Sequence, residues 1–440
     1  MSLIRQESSS SSLQHWKPLY IPPTMSEDMI SESVVRAALA SDHHHQQQKV
    51  TLVSWSTEDI CSKFDGATST LVNIRVQYRV MGEQDTREVC YVAKVNHGRQ
   101  KEVEDFYRCI FVQETSFYTQ VIPALNNILH QVGEGPLAFP RCIHHGQDER
   151  GKEFIYLENL KEAGYKMEDR AIGVGEPHVS LVLKELARLH AASFLLQAKL
   201  SHDLLDEFPF LQIEWTKKFN LGSNWPDYMR GTLDLHTEMF EKMGGCEKVI
   251  EWIRKVHPQV GHVFDKMILK TPPFATIIHG DCWINNMLFR YDKDNMPVEV
   301  KFLDAQGCRK GSVALDLQHF LTLNAVDEVR RPQQHLTSLL TTYHSTLTHI
   351  MKAGGAAPPF TLEQLQQEYM EKGTYGLLFG IMWIPNMVKT KKDATDILDS
   401  SEDSKVTERE CVMRMVDNNP LLRSRLHSII DEWTEYGLIP

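Results

Sequence analysis

The sequence lacks three features that mark common classes of protein. It has no excess of positive charge, since 47 basic and 58 acidic residues give a formal net charge of −11, which argues against a broad surface for nucleic acid or anionic lipid. Its eight cysteines form no CxxC pair and no metal-ligand spacing, so we expect reduced thiols. It has no long apolar run either, because Pro385 interrupts the uncharged stretch 373 to 388, which is shorter than the ~20 residues that span a membrane.

The N-terminal region has little to bury. Residues 1 to 12 are polar and Ser-rich, without the apolar core of a signal peptide, and residues 43 to 48 are a His- and Gln-rich run. We interpret residues 1–48 as a disordered low-complexity leader. We therefore expect a cytoplasmic protein with no nucleic-acid or membrane partner, and no obligatory protein partner is evident.

The most informative motif that is present is HGDCWINN at residues 279 to 286, followed further along the chain by Asp304. Asn286 lies five positions after Asp281, so the neighbouring Asn285 has the wrong spacing. Kinase-type enzymes use such a pattern to arrange a base and two Mg²⁺ ligands. The first acid is the base, and the Asn five residues later and a second acid that closes a strand are the ligands.

The residues between Asn286 and Asp304 support this interpretation. Met287–Tyr291 is a short apolar run, residues 292 to 295 have turn chemistry, and residues 298 to 302 alternate apolar and polar side chains. In an antiparallel hairpin the start of the first strand lies beside the end of the second. Asn286 and Asp304 are therefore predicted to meet at one end of the hairpin and to share a cation.

A second pair of charges is predicted in the N-terminal half. Lys94 lies at the end of the predicted strand 89 to 95, and Glu114 lies on the apolar stripe of the helical segment that follows. A buried carboxylate needs a partner, and Lys94 is the natural candidate. Such a pair holds a lysine against the α- and β-phosphates in kinase-type folds. The alternative is a glutamate at the edge of the stripe that reaches water.

Two further segments are candidates for nucleotide contacts. Neither GxGxxG nor GxxxxGK(S/T) occurs, but the hydroxyls of Thr68 and Ser69 and nearby backbone amides could bind phosphate oxygens. An ordinary turn explains that segment nearly as well. Glu158 and Leu160 follow the predicted strand 154 to 157, at a position that suits the connection between two lobes, where adenine meets backbone groups.

The order of the elements predicts an α+β, bilobal protein kinase-like fold. Strand patterns are concentrated before residue 160, and helical patterns dominate beyond residue 170. We expect a small antiparallel-sheet N-lobe at residues 49–160 that binds nucleotide. A large, mainly helical C-lobe at residues 161–440 would carry the catalytic loop and the acceptor pocket.

Longer stretches of sequence resemble the ecdysteroid kinase-like family, also called CHK-type kinases, which are relatives of choline and aminoglycoside kinases. The resemblance runs from about residue 50 to the C terminus. It is carried by YVAKVN at 91 to 96, QETSFY at 113 to 118, IYLENL at 155 to 160, LARLHAASF at 186 to 194, HGDCWINNMLFRYD at 279 to 292 and VKFLDAQGCRKGSVALDLQHFL at 300 to 321.

The resemblance implies a role for each matched residue. Asp281 would be the catalytic base for an acceptor hydroxyl, and Asn286 and Asp304 would hold Mg²⁺. Lys94 would hold the phosphates of ATP, and Glu114 would hold the lysine. ATP and Mg²⁺ are thus the implied cofactors.

Two more residues are implied to support the loop, and two departures are visible. His279 would organise the loop, and Asp316 would steady it by hydrogen bonding, although helix N-capping is an alternative role for Asp316. Ala305 stands where the family commonly has Phe, and Asn159 stands where it has an acid. Neither change removes a group that the chemistry needs, so we expect activity.

The acceptor is predicted from the aromatic and Met residues of the C-lobe, half or more of which are expected to be core. They are Phe210, Trp215, Phe219, Trp225, Tyr228, Met229, Met239, Phe240, Tyr375, Phe379, Met382 and Trp383. If some line a cleft, a hydrophobic alcohol such as an ecdysteroid-like steroid or a xenobiotic fits best.

The predicted function is a small-molecule O-kinase. The alternatives are a catalytically weak nucleotide-binding pseudokinase that acts as a scaffold and a choline-type kinase. A protein kinase is disfavoured because HRD, DFG and APE are missing.

Overall fold

The computed structural model describes most of the chain. The described residues are 30–42, 49–59, 69–96, 101–149, 151–212, 215–219, 224–268, 272–331, 333–390, 392–393 and 407–440. Of the predicted site residues, Thr68 lies outside these ranges.

A five-stranded antiparallel sheet forms the N-lobe, in the order β1-β2-β3-β5-β4. The strands are β1 Val50–Asp59, β2 Thr70–Val80, β3 Thr86–Val95, β4 Cys142–Gln147 and β5 Glu153–Glu158. On β2 every second residue from Val72 to Val80 is buried, as the alternating sequence predicts. In the central strands Lys94 is opposite Leu71 on β2 and Ile155 on β5, so its side chain projects from the face opposite to Ala93.

A helix covers one face of this sheet, within the segment that the sequence predicts to be a disordered leader. Helix α1, Glu32–Ser41, buries Val35, Ala38 and Leu39 against the sheet core that includes Ile74 and Ala93. The prediction of disorder is wrong for this helix. Its apolar residues recur at helical spacing, but they lie between two low-complexity runs that dominate the composition of the segment.

Three consecutive helical stretches follow β3. Helix α2, Lys101–Ser116, continues through a π-helical turn, Phe117–Val121, into helix α3, Ile122–Gln131. The π turn begins three residues after Glu114, and such turns are frequent at functional sites. The aromatic side chains of α2 and of the π turn join the main hydrophobic core.

Helices make up most of the C-lobe. They are α4 Glu176–Lys199, α5 Leu204–Glu207, α6 Trp215–Lys218, α7 Trp225–Met243, α8 Glu247–Val256, α9 Val260–Met267, α10 Val313–Asn324, α11 Asp327–Arg330, α12 Gln333–Ala353, α13 Leu362–Glu371, α14 Gly373–Met387, α15 Glu408–Asn418 and α16 Pro420–Glu435. Helix α10 is buried along its whole length. Helix α14 contains Pro385, and no described helix combines the length and apolar character needed to cross a bilayer.

Two short antiparallel strand pairs in the C-lobe hold the predicted site. Strands β7, Met287–Tyr291, and β8, Pro297–Phe302, pair with Met287 opposite Phe302. Strands β6, Ala275–Ile278, and β9, Arg309–Ser312, pair with Ile278 opposite Arg309. The first pair is the hairpin that the sequence predicts. Together with the helices and the N-lobe sheet it gives the α+β, bilobal protein kinase-like fold, so that prediction is confirmed.

Candidate active site

The two lobes meet at a buried lysine. The Nζ of Lys94 lies 2.5 Å from Oε2 of Glu114 and 2.5 Å from Oδ1 of Asp304. Burial alone would lower the pKa of Lys94, but the charges of Asp304 and Glu114 raise it, so the ammonium is retained. Burial raises the pKa of Glu114, and the lysine opposes that shift. One cation thus joins strand β3, helix α2 and the segment after β8.

The segment that carries Asp304 has an unusual backbone. Asp304 has φ 59° and ψ 57°, in the left-handed region that Asn and Asp tolerate best among residues with a Cβ. Leu303 N–H donates to the carbonyl of Asn286 over 2.8 Å, which fixes the two ends of the β7–β8 hairpin side by side. The backbone therefore brings Asn286 next to Leu303, the residue that precedes Asp304.

The loop of residues 279–286 directs Asp281 towards Asn286. The Nδ2 of Asn286 donates to Oδ2 of Asp281 over 2.9 Å and to its carbonyl over 3.0 Å. Burial raises the pKa of Asp281 to about 7, the charge of Asp304 adds to the rise, and hydrogen bonds from Asn286 and Gln306 oppose it. The amide nitrogen of Asn286 faces Asp281, so its amide oxygen is the atom left for a cation.

His279 is a structural part of this loop. Its Nε2 lies 3.0 Å from the carbonyl of Leu303, and its Nδ1 lies 3.3 Å from the backbone N–H of Asp281. This pattern is satisfied by a neutral ring that donates from Nε2 and accepts at Nδ1. Burial lowers the pKa of His279, which favours that neutral form. The ring stacks on Phe139 with centroids 6.0 Å apart.

Asp316 accepts hydrogen bonds from the backbone of the 279–286 loop. Its carboxylate accepts from the N–H groups of His279 and Gly280, both over 2.8 Å, and lies 3.2 Å from Nε2 of His190. Burial alone would raise the pKa of Asp316, but the bonds and charges of these groups lower it to about 2. The N-cap of α10 is Ser312, so the alternative role of Asp316 as a helix cap is wrong.

The candidate nucleotide contacts lie along the N-lobe sheet. Glu158 ends β5 opposite Tyr91 of β3, and Leu160 is buried in the connection that follows. Ser69 is buried immediately before β2. Between Glu158 and Leu160, Asn159 donates through Nδ2 to Oδ1 of Asn73 over 2.8 Å, a bond that an acid at this position could not donate. Among the described residues, no hydrogen bond joins Ser69, Glu158 or Leu160 to Lys94.

The aromatic residues divide into two groups. Met229, Met239 and Phe240 are fully buried core residues. Five others, together with Phe264 and His319, form one contiguous aromatic cluster that is also buried, in which neighbouring ring centroids lie 4.5 to 6.1 Å apart. Its members are Phe219, Trp225, Tyr228, Phe264, His319, Tyr375 and Phe379.

Several residues that contact the site are missing from the sequence-based prediction. Gln113, beside Glu114, donates through its side-chain amide to the carbonyl of Cys308. Gln306 lowers the pKa of Asp281 and so opposes the effect of burial, His190 bonds Asp316, and Arg309 is buried next to the 279–286 loop. The only sequence signal for these residues is their presence inside or beside the matched motifs. Their partners lie in distant parts of the chain, which spacing cannot identify.

Comparisons with known proteins identify a family and a set of solved structures with low sequence identity to this chain. A model of the "Ecdysteroid kinase-like family" matches residues 63–355. The structure of choline kinase from Streptococcus pneumoniae is 10% identical, with 92% of this chain and 99% of that chain covered and a TM-score of 0.36. An aminoglycoside phosphotransferase from Streptomyces rimosus, in complex with ADP and streptomycin, is 12% identical, with 81% and 100% covered and a TM-score of 0.30. No curated protein sequence matches the chain.

Proposed function

The family match spans well over half of the chain, so the chain belongs to the ecdysteroid kinase-like family, and on that premise we propose that it is an ATP-dependent small-molecule kinase. It would transfer the γ-phosphoryl group of ATP to a hydroxyl of a small hydrophobic alcohol, such as an ecdysteroid-like steroid or a xenobiotic. Family membership by itself indicates a small-molecule kinase. The nucleotide, the metal and the acceptor class belong to the proposal.

One observation carries it: four separated segments of the chain supply the charged and polar groups that phosphoryl transfer requires. Lys94 contacts both Glu114 and Asp304, and Asn286 contacts Asp281. Phosphoryl transfer spreads negative charge over the oxygens of the moving group, so catalysis depends mainly on positioning and electrostatic stabilisation. Lys94 would bind the phosphates once they draw its ammonium away from Asp304.

The donor set around the hairpin end fits Mg²⁺. Asp304 supplies a carboxylate and Asn286 an amide oxygen, and Mg²⁺ prefers oxygen ligands and keeps several waters. When bound, the metal would neutralise charge on the β- and γ-phosphates. The described residues contain no group of three or more His, Cys, Asp or Glu able to hold a metal ion, so phosphate oxygens and water would complete the coordination.

Asp281 would orient the acceptor and take its proton. The acceptor oxygen attacks the γ-phosphorus, the bond to the ADP oxygen breaks, and the hydroxyl proton passes to the carboxylate of Asp281. A general base works best when its pKa is near the working pH, and burial raises the pKa of Asp281 to about 7. Asn286 holds the carboxylate in place through its Nδ2.

The acceptor class is inferred from the aromatic cluster. It contains Tyr375 and Phe379 of α14, whose ring centroids are 4.5 Å apart, and both Asp281 and Asp316 act on the pKa of Tyr375, so the cluster lies near the catalytic loop. All seven members are buried, so the proposal requires the acceptor to reach this cluster, and aromatic surroundings suit an apolar ligand with one hydroxyl better than a small cation or a polycationic sugar.

The test is phosphoryl transfer from γ-labelled ATP to a panel of acceptors, with and without Mg²⁺. The panel contains ecdysteroids, a simple sterol, aromatic alcohols, choline and an aminoglycoside. We expect a labelled, Mg²⁺-dependent product from the hydrophobic alcohols. Asp281→Asn is expected to lower kcat by about 10²–10⁴-fold, the usual contribution of a general base.

The chain offers a matched control for the metal ligand. Asn286→Ala should abolish Mg²⁺-dependent turnover, whereas Asn285→Ala, one residue earlier in the motif, should leave it unchanged. Turnover of choline or the aminoglycoside but of none of the hydrophobic alcohols would overturn the acceptor class. Absence of any phosphoryl transfer, with Mg·ATP still bound, would favour a nucleotide-binding scaffold instead.

A further inference from the structure

A buried arginine lies where the catalytic loop meets the segment after Asp304. Arg309 begins β9 and is 6% exposed. Its Nη1 donates to the carbonyl of Gly307 over 3.0 Å and to that of Gly280 over 3.5 Å. Within the described part of the chain, no carboxylate lies at ion-pair distance from this guanidinium, which is unusual for a buried charge.

The two glycines explain why a long side chain is needed here. Gly280 has φ +78°, and a Cβ added to it would lie 2.0 Å from the carbonyl oxygen of Gly307 and 2.5 Å from Nη1 of Arg309. A Cβ on Gly307 would lie 3.0 Å from the carbonyl of Gly280 and 3.3 Å from Cβ of Asp281. The two backbones therefore touch, and no side chain of their own can hold them together.

Arg309 supplies the missing connection. The carbonyls of Gly280 and Gly307 both point towards its guanidinium, and two carbonyl oxygens so placed repel each other unless a donor lies between them. Gly280 directly precedes Asp281, and Gly307 is three residues after Asp304. The spacing of these glycine carbonyls therefore sets the spacing of the proposed base and the proposed metal ligand.

We propose that Arg309 is a positioning residue of the phosphoryl-transfer site, which holds Asp281 and Asp304 at their working separation by binding the carbonyls of Gly280 and Gly307 together. This inference rests on the proposed function. Arg309 touches neither the nucleotide nor the acceptor in this arrangement. It acts through the two loops, so its loss changes catalysis and metal dependence, while binding of metal-free ATP at Lys94 is preserved.

The test compares Arg309→Met and Arg309→Lys with a half-buried arginine that makes the same kind of bonds elsewhere. Arg425 likewise donates to backbone carbonyls, those of Arg170, Ala171 and Leu323, so Arg425→Met removes the same kind of bonds elsewhere. We measure thermal stability, kcat, the Mg²⁺ concentration at half-maximal rate, and the affinity for ATP in EDTA.

Arg309→Met should lower kcat by about 100-fold, as expected when reacting groups shift by about 1 Å, and should raise the Mg²⁺ requirement. Its affinity for ATP in EDTA should equal that of the wild type. Arg309→Lys should recover part of kcat, because an ammonium can still donate to both carbonyls but lacks the planar fork of arginine. Arg425→Met should lose stability with kcat unchanged. Equal effects of Arg309→Met and Arg425→Met on kcat and Mg²⁺ dependence would overturn the proposal.

A separate readout keeps this test independent of the proposed reaction. If the wild type transfers no phosphoryl group, the proposed function fails. The positioning role of Arg309 is then tested by the binding of Mn²⁺·ATP, which is measured by electron paramagnetic resonance of Mn²⁺. Weaker binding of Mn²⁺·ATP by Arg309→Met, with metal-free ATP affinity preserved, supports the positioning role. Unchanged Mn²⁺·ATP binding, or no Mn²⁺·ATP binding by the wild type, overturns it.

Discussion

In the N-lobe, the buried ammonium of Lys94 is compensated by two carboxylates, Glu114 and Asp304, each 2.5 Å away. In the C-lobe, the buried carboxylate of Asp316 is held by two backbone N–H groups and by His190, and Arg309 is held by backbone carbonyls. At Lys94, between the lobes, charge is thus balanced by charge, whereas at Asp316 and Arg309 of the C-lobe it is balanced mainly by dipoles. A competing ion can replace one partner of an ion pair, whereas these backbone hydrogen bonds persist as long as the protein is folded.

This difference separates a changeable part of the site from a fixed part. Phosphates and a metal ion carry the charges that would replace the contact of Lys94 with Asp304. Nothing in phosphoryl transfer needs to displace the amides on Asp316. We therefore expect changes in the N-lobe to alter nucleotide binding, and changes in the C-lobe network to alter the chemical step.

The largest effect is expected at the ion pairs. Lys94→Met leaves Glu114 buried without its partner, and breaking a buried pair in this way costs about 3–5 kcal/mol. Stabilisation of the protein by Mg·ATP in a thermal melt should also be lost. The double variant Lys94→Met with Glu114→Leu should regain much of the stability, because no buried charge then remains in the helix. Recovery of Mg·ATP binding in the double variant would contradict this picture.

A smaller effect is expected in the backbone network. Asp316→Asn places an N–H₂ group against the N–H donors of His279 and Gly280, and hydrogen bonds to charged groups contribute about 1.5–3 kcal/mol. Chemical denaturation should show a loss of that size, kcat should fall, and the affinity for ATP should be unchanged.

Asp292 gives the matched control for Asp316. Its Oδ1 accepts from the backbone N–H groups of Asp294 and Met296 on the exposed β7–β8 turn, and an Asn side chain can keep both bonds. Asp292→Asn should therefore have wild-type kcat and stability. A fall in ATP affinity for Asp316→Asn as large as that for Lys94→Met would remove the distinction between the lobes.

The smallest effect is a dependence of stability on pH. His236 of α7 is buried, and burial lowers its pKa to about 4, with the charge of Lys389 adding to the shift and that of Glu408 opposing it. The unfolded chain, with a histidine pKa of about 6.5, binds the proton more readily. Stability from the neutral ring is thus complete above pH ~6.5 and declines as the pH falls towards 4, by at most about 1.4 kcal/mol per pH unit.

His236→Gln should flatten this decline, measured as the unfolding free energy at pH 7, 6 and 5. His130→Gln, on the exposed face of α3, should leave the slope unchanged. A wild-type slope in His236→Gln would mean that other groups dominate acid sensitivity. The pH dependence of stability could then not be assigned to the burial of the neutral His236 ring.

The sequence predicts the parts of this molecule that depend on local pattern. Alternation of side chains locates β2 and β3, and the turn at residues 292 to 295 locates the β7–β8 hairpin that places Asn286 beside Asp304. These features arise from residues close together in the chain, where periodicity and turn chemistry are strong signals.

The rest depends on contacts between distant segments. Gln113 bonds Cys308 across 195 residues, and the site of Arg309 exists only because Gly280 and Gly307 approach each other in space. Helix α1 is missed because its short apolar stripe has a partner only once the sheet is assembled. No single-sequence pattern encodes such pairings, so the supporting residues of the site emerge only from the structure.

Helix α1 and the C-terminal helices have a practical consequence for recombinant fragments. The family match ends at residue 355, but the buried guanidinium of Arg330 pairs with Glu432 of α16, and Tyr375 and Phe379 lie beyond that end. At the other end, Asp42, just after α1, accepts from Tyr91 over 3.1 Å and from Arg141 over 3.3 Å. A fragment trimmed to the recognisable homology would keep Lys94, Asp281 and Asp304 yet leave Arg330 without its counter-ion. The fragment for expression and crystallisation should therefore include the residues that pack against the family-matched region, which lie on both sides of residues 63–355.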